Sequence, residues 1–317
     1  MAHQPDPRLS IDLAGLKLKS PVILAAGTAG FSDELADVMD FAQIGAVVSK
    51  SITREPREGN KTWRILPAKS GMLNAIGLAN PGIERFMADI APRLLATPTT
   101  VIGSIAGSSI EDYAEVARHM DTVDALPAVE LNVSCPNVHG GTEFGVDPIA
   151  LKELVSAAKA ELKSTKLFVK LSPIAVGQPG IVDVAQAAVV AGADALTIAN
   201  TVPAMGIDVR TRRPVLSNVT GGLSGVAVHP IAVRLVHLVY QGIAKEAGVP
   251  IIGVGGVTDW DDAAELILAG ASAFQIGSAL FADPRIPARI NKHLSRWLNT
   301  HRVDSTKDVV GQVILPD

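Results

Sequence analysis

The chain has 317 residues, with 28 Lys and Arg against 32 Asp and Glu, a net charge of −4, and one cysteine. That length buries a substantial core without disulfides or structural metal, and a lone cysteine excludes an internal disulfide, a cysteine-ligated zinc finger and a cysteine-held iron–sulfur cluster. The faintly acidic balance, the 4% aromatic content and the lack of a Lys/Arg block argue against nucleic-acid binding.

The opening residues MAHQPDPRLS lack the apolar stretch of a secretory signal, and the apolar run 184–199 is broken by Gly192 and Asp194. A cytoplasmic chain with no membrane span is therefore expected. Residues 10–22 hold two short alternating runs around Ala14-Gly15, which predicts a hairpin plugging the bottom of the fold. Eight β-branched apolar runs follow, at 22–26, 46–50, 100–105, 128–133, 167–171, 195–199, 250–254 and 273–276. Their nearly continuous hydrophobicity suits strands buried on both faces, as in a parallel sheet.

Helical signals fall between these runs. Ser32 precedes a stretch over 33–41 with an acidic first turn, and Ser109 with Asp112 makes a capping-box-like start for 110–120. Asp147-Pro148 opens 149–163 with a cap and a first-turn proline, and further helices are expected over 181–191, 230–247, 260–269 and 285–298. The alternation predicts an α/β fold, a (β/α)8 TIM barrel, as a single domain over 1–317 with an N-terminal hairpin. Two long excursions, 51–81 after the second strand and 205–229 after the sixth, belong to the strands' C-terminal face, where barrel active sites lie.

Strand ends carry the candidate chemistry. Gly255-Gly256 and Gly277-Ser278 follow the seventh and eighth strands, where such barrels hold phosphate on backbone N–H groups; ordinary tight turns are the plainer alternative. Lys50 and Lys170 end otherwise apolar strands and suit an anion or an electron-rich ring, unless they merely snorkel to solvent. Cys135 sits in the segment Leu131-Asn-Val-Ser-Cys-Pro-Asn137. It is a small buried hydrophobe or, as its loop position favours, a nucleophile or general base, with Gly140, Gly141 and Gly145 as hinges of a covering lid. The amides of Asn74, Asn132, Asn137 and Asn200 match the N–H and C=O groups of a neutral cyclic amide. The histidines lack ligand spacing, so no metal site is expected, and neither GxGxxG nor GxxxxGK[ST] occurs.

The segments Gly71-Met-Leu-Asn-Ala-Ile-Gly-Leu-Ala-Asn-Pro-Gly82, Glu130-Leu-Asn-Val-Ser-Cys-Pro-Asn137, Val169-Lys-Leu-Ser-Pro173, Asn218-Val-Thr-Gly-Gly-Leu-Ser-Gly225 and Ile251-Ile-Gly-Val-Gly-Gly256 together resemble class 1 dihydroorotate dehydrogenases. The wording over 74–78 and Gly140-Gly141…Phe144-Gly145 looks like type B, and the resemblance covers about residues 9–285. It implies an FMN enzyme oxidising dihydroorotate to orotate in de novo pyrimidine (UMP) biosynthesis. By matched position, Cys135 would be the base that removes the C5 proton while the C6 hydride passes to the flavin. Lys50, Asn74, Ala75, Ile76, Gly77, Leu78, Asn132, Asn137, Asn200 and Thr201 would hold the substrate. Ala26, Gly27, Lys50, Ser51, Ser104, Asn132, Lys170 and Ala199 would contact FMN, and Gly225, Gly255, Gly256, Gly277 and Ser278 chiefly its phosphate. Ala26, Ser104 and Ala199 depart from the Ser, Asn and Ile of many such proteins.

Type B resemblance further implies a homodimer and a separate electron-transfer subunit carrying FAD and a [2Fe-2S] cluster that passes electrons to NAD. A lone cysteine and the missing dinucleotide fingerprint place those groups outside this chain. The alternative expectations are a dihydropyrimidine dehydrogenase-like flavin domain, a type A-like enzyme using fumarate, and a non-catalytic barrel subunit.

Overall fold

The computed structural model describes residues 5–134, 144–174 and 176–316. Strands β1 (Ile11–Leu13) and β2 (Leu16–Leu18) pair antiparallel as the expected hairpin, turning through Ala14 and Gly15. In chain order follow β3 (Val22–Leu24), β4 (Ala46–Val48), β5 (Ile65–Ala68), β6 (Gly71–Asn74), β7 (Thr100–Ile105), β8 (Ala128–Asn132), β9 (Lys166–Lys170) and β10 (Ala195–Ile198). Four short strands, β11 (Val202–Ala204), β12 (Ile207–Asp208), β13 (Arg213–Pro214) and β14 (Gly221–Ser224), precede β15 (Ile251–Val254) and β16 (Ala271–Ile276). The strands β3, β4, β7, β8, β9, β10, β15 and β16 close a parallel barrel in chain order. This is the (β/α)8 barrel expected from the alternation of apolar runs and helical stretches.

Period-two alternation explains why these strands are apolar throughout. One set of side chains, including Ile23, Ile102, Phe168 and Ile252, packs inside the barrel, and Leu13 and Leu18 of the hairpin join that cluster. The other set, including Val129, Leu131 and Val169, packs in the larger core with the helices. Those helices are α1 (Ile83–Arg85), α2 (Ile110–Met120), α3 (Pro148–Glu161), α4 (Ile181–Val190), α5 (His229–Val239), α6 (Lys245–Ala247), α7 (Trp260–Ala269) and α8 (Ile286–His301). The expected caps are present: Ser109 Oγ accepts from the Asp112 N–H at 3.2 Å, and Asp147 accepts from the Ile149 N–H at 2.8 Å. The helical stretch Val226–Ala247 has the length and apolarity of a membrane span. Its Leu235, Val236 and Val239 are buried in the barrel's outer core.

One expected helix is absent. Residues 33–41 form successive turns, and only Phe41–Gln43 makes a short 3-10 helix. Ser32 does not cap; its hydroxyl donates to Asp33, while the Glu34 carboxylate folds back to accept the N–H groups of Phe31 and Ser32 at 2.8 and 2.9 Å. Such local side-chain bonds compete with helical ones. Conversely, helical turns run from α1 on to residue 96, behind a Gly82 that supplies no side-chain cap and so leaves little mark in the sequence.

The two excursions find each other. Strands β5 and β6 from the first, β14 from the second and β11 just ahead of the second form one antiparallel sheet, in the order β11-β14-β6-β5, while β12 and β13 make a separate hairpin. Leu73, Ala75 and Leu216 form a small core of their own there.

Candidate active site

Above the apolar layer, the inward positions two residues further along the strands turn polar. Ala128 gives way to Glu130, Phe168 to Lys170, Ala195 to Thr197 and Ala273 to Gln275, all four polar side chains buried. Glu130 Oε2 accepts from Gln275 Nε2 at 2.6 Å and from Thr197 Oγ1 at 2.7 Å. Its Oε1 has no hydrogen-bond partner, and Lys170 Nζ lies 3.9 Å away. Lys170 also donates to Gln275 Oε1 at 3.4 Å, so one glutamine bridges the carboxylate and the ammonium.

Lys170, held from behind by this layer, lines a cavity of about 540 Å³ at the C-terminal ends of the strands, a size suited to a cofactor and a small substrate. Ile65, Met72, Asn74, Leu223 and Ser224 of the added sheet form a further wall. Most residues singled out in the sequence meet here. Ala26, Gly27, Lys50, Ser51, Asn132, Lys170 and Ala199 line the cavity, as do Asn74, Ile76, Leu78, Asn200 and Thr201. Gly225, Gly255, Gly256, Gly277 and Ser278 gather at it from three loops. Ala75 and Gly77 belong to the same segment as Asn74 but are not part of the wall. Ser104 lies one layer back, fully buried, where its hydroxyl shares a 2.8 Å hydrogen bond with Ser51 Oγ and braces that residue from behind. Cys135, Asn137, Gly140 and Gly141 lie outside the described residues. Ser134, just before Cys135, accepts from Ser172 Oγ at 2.9 Å, which ties the end of β8 to the loop after β9.

The cavity's electrostatics favour an anion. Among the described residues its charged lining consists of Lys50, Lys69 and Lys170, with no carboxylate. Burial, reinforced by the nearby Arg64 charge, holds the Lys50 ammonium's pKa below the usual lysine range. The amides are oriented by a chain of bonds: Thr201 N–H donates to Asn200 Oδ1 at 2.8 Å, and Asn200 Nδ2 donates to Asn132 Oδ1 at 2.8 Å. Asn132 thereby keeps its own NH2 group for a carbonyl acceptor in the cavity. Asn74 is fixed by donating to Gly222 O at 3.2 Å across the β6–β14 pair. Gly256 has φ +67°, and a Cβ there would fall 2.8 Å from Gly225 O, so the loops after β14 and β15 bare their backbones to each other. This is the kind of concave glycine backbone that receives a phosphate.

Sequence reasoning overlooked Glu130, Gln275 and Thr197. A signal existed for Glu130, an acidic residue inside an apolar strand and two positions before Asn132, hence on the same face. Lys69, in an exposed turn, carried none. Among the described residues no cluster of three His, Cys, Asp or Glu side chains is placed to hold a metal ion.

The dihydroorotate dehydrogenase family model matches residues 8–298. The chain belongs to the dihydroorotate dehydrogenase family. It is 44% identical over 304 residues to a protein of Bacteroides thetaiotaomicron named dihydroorotate dehydrogenase B (NAD(+)), catalytic subunit, covering 96% of this chain and 98% of that one. Proteins of the same name from Pelobacter propionicus and Citrifermentans bemidjiense are 45% identical over 306 residues and 43% over 311. Those alignments cover 96% and 98% of this chain, and 98% and 99% of the relatives. Dihydroorotate dehydrogenases are in general flavin-dependent oxidoreductases acting on a CH–CH group.

Proposed function

We infer that this chain is the FMN-containing catalytic subunit of an NAD-linked dihydroorotate dehydrogenase, oxidising dihydroorotate to orotate in pyrimidine biosynthesis. The observation that carries the reading is the cavity: among the described residues it has three lysines and no carboxylate, a glycine cradle on one side and fixed amides on another, in a chain of this family. The residues present fit FMN. Gly225, Gly255, Gly256, Gly277 and Ser278 would hold its phosphate, and Ala26, Gly27, Ser51, Ala199 and Lys170 would flank its ring, with Ser104 supporting Ser51. When bound, FMN supplies the two-electron acceptor.

The chain's own groups do the rest. Lys50, Asn74, Ile76, Leu78, Asn132, Asn137, Asn200 and Thr201 would orient dihydroorotate, with Lys50 paired to its carboxylate and the amides to its ring N–H and C=O groups. Ala75 and Gly77 keep the segment between Asn74 and Leu78 in shape. Cys135 takes the C5 proton as the hydride leaves C6, and Lys170 offers a positive charge where negative charge arrives. Dihydroorotate thus loses two electrons and two hydrogens and becomes orotate. The electrons go on to NAD through a partner subunit carrying FAD and a [2Fe-2S] cluster, and the catalytic chain forms a cytoplasmic homodimer. The relatives' printed name, a catalytic subunit of an NAD(+) enzyme, supports a partner, and a lone cysteine cannot ligate a cluster.

The purified chain is expected to be yellow and to bleach on anaerobic addition of dihydroorotate but not of dihydrouracil. A protein that stays colourless after incubation with FMN overturns the reading. Once bleached, the isolated chain is expected to regain colour promptly with an artificial dye and slowly with NAD. Rapid recovery with NAD removes the need for a partner, and rapid recovery with fumarate points to direct transfer within the pocket.

A further inference from the structure

Resting on the flavin reading above, we propose that Lys69 is a ligand of the cofactor's phosphate, delivered by the β5–β6 hairpin and not by the barrel. The glycine loops offer N–H dipoles but no full charge: none of their cavity-lining residues, Gly225, Val226, Val228, Gly255–Thr258 and Gly277–Ala279, is Lys, Arg or His. A phosphate monoester brings about −1.5 to −2 charges at neutral pH. Of the three lysines that line the cavity among the described residues, Lys50 is assigned above to the substrate's carboxylate and Lys170 to the flavin ring. Lys170 is held from behind by Gln275 and Glu130. Lys50 Nζ lies beside Gly27, 3.9 Å from where a Cβ on that glycine would be. Lys69 makes no hydrogen bond or ion pair among the described residues.

Its backbone is nonetheless fixed at the right end of the cavity. Ala68 pairs with Gly71, so Lys69 and Ser70 form a two-residue turn. Ser70 O accepts from the Ala227 N–H at 3.1 Å. A Cβ on Gly225, whose φ is +98°, would fall 2.5 Å from the Gly71 Cα, a contact that only a bare backbone permits. Gly225 O in turn abuts Gly256. The hairpin tip is therefore clamped onto the phosphate loops, while the exposed lysine stem is free to swing across them. A compact point charge on a flexible arm suits a phosphate approached from solvent.

Riboflavin, which is FMN without the phosphate, separates this role from any effect on cavity shape. Affinities of the full-length wild type, Lys69→Gln and Lys69→Arg for FMN and for riboflavin are read from flavin fluorescence after exchange, at low and high salt. Lys69→Gln is expected to weaken FMN about tenfold, corresponding to about 1.4 kcal/mol, and to flatten its salt dependence. Riboflavin affinity is expected to stay unchanged, and Lys69→Arg to restore FMN binding. Unchanged FMN affinity in Lys69→Gln, or equal weakening of both flavins, overturns the proposal. A wild type that takes up neither flavin overturns the cofactor reading, and this proposal with it.

Discussion

Replacing Lys170 with Met is expected to slow flavin reduction by dihydroorotate by roughly 10²–10³-fold, the usual cost of losing one fixed group that stabilises developing charge. The same substitution is expected to destabilise the fold by about 3 kcal/mol, because it leaves the Glu130 carboxylate buried without its counter-ion. Glu130 keeps its bonds from Gln275 and Thr197, which places the cost at the lower end for a broken buried pair. The two effects separate in the double variant Lys170→Met/Glu130→Gln. Removing both charges is expected to return most of the stability in urea denaturation and none of the rate. Wild-type stability in Lys170→Met would mean that the 3.9 Å approach contributes nothing. A recovered rate in the double variant would mean that Lys170 serves only to neutralise Glu130.

That pair marks the boundary of what the sequence discloses. Barrel strands were legible because each must be apolar on both faces, and the observed strands fall within two residues of the expected runs. The capped helices were legible because Ser109 and Asp147 are local signals whose bonding partners lie two or three residues away. The stretch 33–41 misled for the same local reason, since the Glu34 carboxylate can accept backbone N–H groups in a turn as readily as it can stand in the first turn of a helix. The joint sheet of the two excursions depends on pairing Leu73 with Leu223, 150 residues apart, and no periodicity in either loop announces that partner. The site behaves likewise. Residues at strand ends were recognisable because the barrel dictates where those ends point. Glu130 and Gln275 meet Lys170 from other strands, and Lys69 reaches the cavity on a hairpin clamped to the glycine loops, neighbours that exist only once the barrel closes.

The proposed base gives the other large effect. Cys135→Ala is expected to slow flavin reduction by dihydroorotate by roughly 10²–10⁴-fold, the range for losing a positioned proton acceptor, while FMN stays bound and orotate still perturbs its visible spectrum. The groups proposed to hold both molecules are elsewhere: Asn132 lines the cavity at the end of β8, Lys50 and Asn200 just past β4 and β10, and the glycine cradle comes from the loops after β14, β15 and β16. Loss of a proton acceptor should therefore appear in the chemical step and spare the binding steps, a split that a merely packed cysteine would not produce. Cys135→Ser refines the test. A hydroxyl is a far weaker acid than a thiol, whose ordinary pKa is about 8.5, so the serine variant is expected to gain rate with rising pH well beyond the point at which the wild type levels off. Stopped-flow reduction under anaerobic conditions, across a pH series, measures all three proteins. If Cys135→Ala is reduced at the wild-type rate, the proton leaves C5 by another route, and the search for the acceptor returns to the remaining cavity-lining groups.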